Sequence, residues 1–431
     1  MANPDFVKYK DMYSINELSF KTKTDLINSQ YIQEIVPPYP SFLDRRNKNG
    51  AANYSRFLNG GNFISNAQIC LMNVLGLINK NNDEVKLPSN MEDIIYYATI
   101  QNTSIQSIKN LLVESIFKFG SGLLKVVIPE NVSIADSIPK FEVIPGNKVV
   151  DYSTVLDENG NEKFEFIVID TSRYILNKIT KYYSWTKIYK ILSINSDGNY
   201  YECEIPQNVY GQFIFDNPML AREKHISYVE PAWTNNLDFI PVVGINKLDS
   251  TFKYTQAFIQ DLIETSLTNF RLSCTLAWLV NNCAASHLVI KGKNLDDITN
   301  YPVGAGALHI LNDETADEEY LTPSTNGMDE VKKIINDNNL LMDQMQYSLL
   351  NAGANSAAEA LQFRISVKVA DLVALVKNIG NCLTRGLEMI DLIMNNGANK
   401  DLIEFIPYTD FSQISEYIGD TTENNEEEKE D

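Results

Sequence analysis

The stretch from Ser356 to Gly397 limits what this chain can fold into more than any other. Apolar residues recur at Leu361, Ile365, Val369, Leu372, Val376, Ile379, Leu383, Leu387, Ile390 and Met394, always three or four positions apart. That is the period of one face of a helix, not the alternation of a strand. Phe363, Val367, Ala370 and Ala374 make a second apolar line beside the first, so a wide buried face is expected. Ser356 and Glu359 have the spacing of a capping box, and Gly397 stands where a left-handed residue closes a helix. Such a helix is about 58 Å long at ~1.5 Å per residue, well beyond the ordinary globular length. Arg364, Lys368, Lys377 and Arg385 lie along it and are expected to be solvated or to bridge acidic neighbours.

The remainder of the chain must supply surfaces for that helix. With 431 residues it is long enough for several domains or for one elaborate protomer of an assembly. The formal charge of −20 argues against nucleic-acid binding through a basic patch. Cys70, Cys203, Cys274, Cys283 and Cys382 are scattered without a C-x-x-C pair and read as reduced, buried thiols. No apolar run approaches the ~18 residues of a membrane span, and the first residues lack a basic-then-apolar signal pattern. A protein made and used in cytoplasm, or in a particle assembled there, is expected.

In chain order, residues 1–35 read as an arm with one short helix near 15–27. Helices follow at about 41–58 and 64–79, divided by Asn59-Gly60-Gly61. Ser89 with Glu92, and Thr103 with Gln106, have capping-box spacing and open further helices, the second closed by Gly120. From 123 to 228 the texture is β: short β-branched and aromatic runs at 124–128, 141–144, 164–170, 182–189, 190–194, 200–205 and 211–215. Turns at 158–161 and 196–199 carry hairpin dipeptides. An extended run at 239–245 precedes a helix over 249–284. Residues 286–322 read as a small α/β insert with strands at 287–290 and 308–311 and a short helix near 295–298. Its acidic loop carries Asp313, Glu314, Asp317, Glu318 and Glu319. A helix over 327–349 is capped by Asn326, and Asn351, Ala352, Gly353, Ala354 and Asn355 make a small loop before the long helix. A short strand at 402–406 and an acidic tail beyond Tyr417 complete the chain.

Chemistry is sparse in this sequence. His225, His287 and His309 have no metal-ligand spacing and read as structural. No G-x-x-x-x-G-K-[ST] or G-x-S-x-G occurs. Gly120-Ser121-Gly122 precedes a strand, the reverse of a dinucleotide fingerprint, and reads as a helix stop; Gly304-Ala305-Gly306 reads as a turn. No enzyme, metal or cofactor is expected.

The order of parts from Phe239 to Gly397 resembles the portal proteins of tailed bacteriophages. The residues that carry the resemblance are Ile240-Pro241-Val242-Val243 before a long helix, the strand His287-Leu288-Val289-Ile290-Lys291-Gly292, a second helix and a short loop. Ser356-Ala357-Ala358-Glu359-Ala360-Leu361 then opens a long helix. Tyr54-Ser55-Arg56-Phe57-Leu58, Asn66, and Lys80 with Leu87-Pro88 are similar to the wing of one portal subfamily.

The resemblance implies an α+β protomer: a helical and β wing over 1–248, a stem helix over 249–285, a clip over 286–322 and a second stem helix over 323–349. A tunnel loop at 350–356, the long helix over 357–397 and a small crown-like end with an acidic tail over 398–431 follow. It implies a virion protein at the capsid vertex, assembled in host cytoplasm as a dodecameric ring that passes double-stranded DNA during packaging and ejection. Ser356 and the residues 351–355 would face that DNA. Asp313, Glu314, Asp317, Glu318 and Glu319 would dock the packaging motor (terminase) or a head–tail adaptor, with the capsid protein as a further partner and no membrane. Lys332 and Lys333 either form basic rings in the channel or face solvent. The alternatives are another head–tail or scaffold component of a phage, and an α+β enzyme with an unrecognised carboxylate site.

Overall fold

A computed structural model describes residues 3–43, 49–127, 138–156, 162–176, 182–195, 198–206, 228–229, 237–283, 287–291, 317–321, 326–346 and 358–411. Helices and antiparallel strands coexist, so the protein is α+β. Its contacts divide it into two compact units. One comprises residues 1–20, 67–260 and 347–431, and the other 21–66 and 261–346. Segment 21–66, expected within a single wing of 1–248, packs in the second unit.

The first unit opens with α1 (Pro4–Ser19), not with the helix near 15–27 that apolar spacing suggests. Asn3 caps it, its Oδ1 accepting the Asp5 N–H at 2.9 Å, and Pro4 occupies the first turn, where its missing N–H costs nothing. Tyr13 is buried and its hydroxyl donates to the Thr255 carbonyl at 2.9 Å. The third predicted capping box also differs. Thr103 exchanges a hydrogen bond with Thr99 at 2.8 Å, and helix α7 (Ile105–Phe119) begins after Ser104. Gly120 then closes α7 at φ 72°, a left-handed position where a Cβ would meet the Gln256 carbonyl. Ser89–Ile95 is a 3-10 turn with no side-chain cap, so Ser89 and Glu92 form no capping box.

Two sheets follow. Strands β2 (Ser121–Val127), β3 (Lys140–Pro145) and β11 (Val242–Asn246) form a three-stranded sheet in the order β11-β2-β3. The five-stranded sheet has the order β10-β9-β8-β5-β4, from β4 (Val149–Leu156), β5 (Glu162–Asp170), β8 (Ile188–Ile194), β9 (Tyr200–Pro206) and β10 (Tyr228–Val229). β4 lacks strict alternation and was not expected. The strand expected at 211–215 and the turn at 158–161 lie outside the described residues, as does most of the turn at 196–199.

Helix α10 (Ala358–Asn395) is the long element expected from periodicity. Leu372, Val376, Ile379, Leu383, Leu387 and Ile390 are all buried. The second stripe is different from the expected one. Ala370 and Ala374 are exposed, while Leu375, Cys382 and Gly386 are buried beside the first line. α10 packs on β11 and β2, where a Cβ on Gly386 would stand 2.8 Å from Leu124 Cδ2 and 2.9 Å from Phe141 Cε1. It also packs on β14 (Glu404–Ile406), which pairs with β1 (Glu84–Lys86). Arg385 is exposed, and its Nη1 donates to the Ser250 carbonyl at 3.1 Å. Gly397, at φ 74°, follows the helix as expected. The proposed cap residue Ser356 lies outside the described residues.

In the second unit, α2 (Lys23–Ile27) carries a complete capping box from Thr22 and Asp25. Short helices α3 (Ile32–Ile35) and α4 (Pro40–Leu43) lead to α5 (Gly50–Gly60). Helix α6 (Asn66–Ile78) crosses into the first unit. Helix α8 (Gln260–Cys283) starts eleven residues after the expected position of 249. Phe252 and Tyr254 instead belong to the β core of the first unit, with their rings 5.3 Å apart. Trp278 packs edge-on against Phe42 at 5.1 Å, and a Cβ on Gly61 would meet Cys274.

Candidate functional site

Most of α8 and all of α9, with strands β12 and β13 between them in sequence, belong to the second unit. Helix α9 (Asn326–Met345) buries Met328 and Met342 and half-buries Val331, Ile335 and Asn338. Those positions are three and four apart, the narrow seam of a coiled-coil pair. Asn269 of α8 sits in that seam. Its Nδ2 donates to Asn339 Oδ1 at 2.8 Å, and its Oδ1 accepts from Asn338 Nδ2 at 2.9 Å. A mutually satisfied amide cluster in an apolar seam fixes helix register better than apolar contacts do.

Between these helices β12 (His287–Lys291) pairs antiparallel with β13 (Asp317–Leu321). Asp317 stands opposite Lys291, Glu318 opposite Ile290 and Glu319 opposite Val289. These three acids therefore occupy a strand, not the loop expected for them, because the Leu288–Ile290 run offers them a pairing edge. Asp313 and Glu314 lie outside the described residues. So do Asn351, Ala352, Gly353, Ala354, Asn355 and Ser356, His225, His309 and the Gly304–Gly306 turn; no geometry is assigned to them. On α9, Lys332 stands 3.8 Å from Asp329 in an exposed pair, an arrangement that adds little to stability.

The first unit holds the strongest electrostatic feature. Lys125 of β2 is buried and reaches Glu202 of β9 at 2.7 Å, tying the three-stranded sheet to the five-stranded one. Lys190 of β8 reaches the same carboxylate at 2.9 Å, and the Tyr200 hydroxyl donates to it at 2.5 Å. Burial alone would raise the Glu202 carboxyl, but the two ammonium groups and these hydrogen bonds hold it down at about 2. Burial pushes the Lys125 ammonium below its ordinary value, with Glu202 opposing. A second buried pair joins Lys109 to Asp83 at 2.6 Å, and Lys109 also donates to the Ile78 carbonyl at 3.1 Å. Both clusters are internally satisfied staples.

Burial raises the Cys203 and Cys382 thiols to about 12 and Cys274 to about 11, which keeps them protonated and unreactive. No group of three potential metal ligands occurs among the described residues, and no described helix is long and apolar enough to cross a membrane.

Sequence reasoning missed one surface. β6 (Arg173–Leu176) pairs with β7 (Tyr183–Thr186), and this pairing continues the β5–β8 register outward. The Thr171 N–H donates to the Ile188 carbonyl at 3.0 Å across the junction. β4 stops pairing with β5 at Ile169, and β9 stops pairing with β8 at Ile188. The distal ribbon therefore has no flanking strand among the described residues. Tyr174 is directly opposite Trp185, their rings 5.0 Å apart at 67°. Tyr174, Tyr182, Tyr183 and Trp185 are 66%, 77%, 68% and 55% exposed. Arg173 anchors the other face through a bidentate pair with Glu204 at 2.8 and 3.2 Å. Read alone, 182–189 is one aromatic strand; only the pairing register reveals that its first half stands free.

No family model matches the chain, and no curated protein matches it. Among solved structures, the chain is similar to one from the neck of a native gene transfer agent (GTA) particle computed with C12 symmetry. Identity is 12% and the TM-score 0.39, over 83% of this chain and 84% of that one. It is also similar to a chain from the virion of the native particle, at 12% identity and TM-score 0.39 over 86% and 87% of the two chains. A third similar chain comes from the neck of an empty GTA particle computed with C6 symmetry, at 10% identity and TM-score 0.40 over 86% and 87%.

Proposed function

We propose that this chain is a structural subunit of a phage-like particle, and specifically the portal subunit of a ring through which double-stranded DNA passes. The observation that carries this reading is the order α8, β12, β13, α9, α10. A two-stranded sheet interrupts a helix pair, and a 38-residue helix follows after a short connection. This is the order implied by the resemblance, in which residues 350–356 would form a tunnel loop. The chemistry agrees with a passive role. The described thiols are buried, the buried Lys109 and Lys125 are paired with Asp83 and Glu202, and a net charge of −20 disfavours tight phosphate binding. In this reading the motor is a separate chain, and this protomer contributes the channel and the joints to capsid and adaptor.

Electron microscopy of the purified full chain, with native mass spectrometry, tests the proposal. Closed rings with a central hole wide enough for duplex DNA are the expected result. A monodisperse monomer or small dimer at micromolar concentration overturns it.

A further inference from the structure

Helix α10 ends on a strained and exposed Asn-Gly pair. Asn396 has φ 52° and Gly397 has φ 74°, two left-handed residues in succession. Glycine takes that conformation freely, but for asparagine it is strained. The Gly397 N–H closes the turn on the Asp391 carbonyl at 3.3 Å, a long bond. Asn396 is exposed, and its carboxamide has no hydrogen-bond partner among the described residues. The groups around it are committed. The buried Asp391 carboxylate accepts from Asn395 Nδ2 at 2.7 Å, from the Asn399 N–H at 2.9 Å and from Asn399 Nδ2 at 3.0 Å. Asn395 Oδ1 accepts from Asn90 Nδ2 at 3.2 Å, which ties the helix end to the Ser89–Ile95 turn.

The same dipeptide recurs in the chain and supplies an internal comparison. Asn59-Gly60 lies in the last turn of α5. There Asn59 Nδ2 donates to the Ser55 carbonyl at 2.8 Å, which holds the carboxamide toward the preceding turn and away from the Gly60 nitrogen. Asn49-Gly50 opens α5. The Asn49 carbonyl accepts the Asn53 N–H at 2.8 Å, and Gly50 is buried where a Cβ would meet the Phe42 carbonyl. Asn159 and the side chain of Asn326, each followed by glycine, lie outside the described residues.

An asparagine can react with the peptide nitrogen that follows it, and glycine, with no Cβ, leaves that nitrogen open to approach. The reacting atoms must come within ~3–3.5 Å. A side chain and peptide group that are free to turn reach that geometry, and pinned ones do not. We propose that Asn396-Gly397 is a site of self-modification, at which the end of α10 converts to aspartate and isoaspartate as the protein ages. A bond forms between Gly397 N and Asn396 Cγ, and the Cγ–Nδ2 bond breaks. Nδ2 leaves as ammonia, carrying the proton that the Gly397 nitrogen gave up. Solvent water then opens the cyclic imide at either carbonyl, so no oxidant or cofactor takes part. Both products place a carboxylate at the negative end of the helix dipole, close in sequence to Asp391. Isoaspartate also inserts a carbon into the backbone between the helix and Asn399, which breaks the register of the Asp391 cap.

Peptide mapping of the aged full chain tests this, with isoaspartate detected by enzymatic methylation. The purified protein is held at neutral and at mildly alkaline pH, beside a sample in denaturant. In denaturant the pairs at 49, 59 and 396 should convert at comparable rates, because each presents the same dipeptide. In the folded chain conversion at 396 should run several-fold ahead of 49 and 59, and faster at the higher pH, since the attacking nitrogen must lose its proton. Asn396→Gly keeps the left-handed turn and removes the reacting side chain. Its melting temperature should hold on ageing while that of the unmodified chain falls. Conversion at 396 no faster than at 59 in the folded protein overturns the proposal, as does an unconverted Asn396 in a folded sample whose denatured counterpart has reacted. Equal loss of melting temperature in both chains overturns the claim that the modification loosens the helix end.

Discussion

Glu202 is the residue on which the β region of the first unit turns. One carboxylate accepts from Lys125, Lys190 and Tyr200, and the first two come from different sheets. Removing the carboxylate leaves the buried Lys125 ammonium with only the half-exposed Glu142 at 3.9 Å, whereas removing all the charges together need cost little. Glu202→Gln is therefore expected to lower unfolding stability by about 3–5 kcal/mol, measured by denaturant titration. The pH dependence has a definite sign. The folded carboxyl is held at about 2, below its ordinary value of 4.5. Its stabilisation is thus complete above the ordinary value and fades as pH falls toward 2. The stability gap between the native chain and Glu202→Gln should narrow between pH 5 and pH 2. A constant gap in that window would remove the charge explanation. None of this was legible in the sequence, because Lys125, Lys190 and Glu202 are ordinary charges in ordinary strands until the register brings them together.

At the scale of elements, two helical glycines give opposite predictions. Gly386 lies in α10 where a Cβ would press on Leu124 and Phe141 at under 3 Å. Gly76 lies in α6 with nothing within 4 Å of its Cβ position. Helix propensity favours Ala by about 1 kcal/mol at both sites. Overpacking costs about 1–3 kcal/mol where the space is filled. Gly76→Ala should thus raise the melting temperature and Gly386→Ala should lower it, by differential scanning calorimetry. The same contrast explains what could be read in advance. The buried line of α10 was visible because its turns from Leu372 to Ile390 keep one face buried, the helix packing on β2, β11 and β14. The false second stripe at Ala370 and Ala374 came from reading small apolar residues as buried. The helix start at 249 was placed too early: Phe252 and Tyr254, two positions apart, are buried in the β core, and the helix begins only at Gln260. Ser89 and Thr103 failed as capping residues for another reason. Capping spacing is necessary, but Pro88 sets a 3-10 turn at one site and Thr99 claims the hydroxyl at the other.

At the scale of the molecule, the acidic chain and the small-residue segment before α10 lead to a prediction about DNA. A channel that must let duplex slide should neutralise few phosphates, since each one neutralised releases counterions and holds the strand. Residues 351–356 are Asn, Ala, Gly, Ala, Asn and Ser, short side chains that can touch a backbone without reading bases. Deleting residues 352–355 removes that surface and leaves the α8–α9 seam and the β ribbon untouched. Rings should form at the concentration of the unmodified chain, judged by native mass spectrometry, while packaging or retention of DNA in assembled particles falls. Normal packaging by the deleted chain would assign these residues to a simple connection between α9 and α10. Loss of rings would instead give them a role in subunit contact. Under the portal reading proposed above, ring assembly and DNA passage are expected to depend on separate parts of the chain, so the two readouts should move independently.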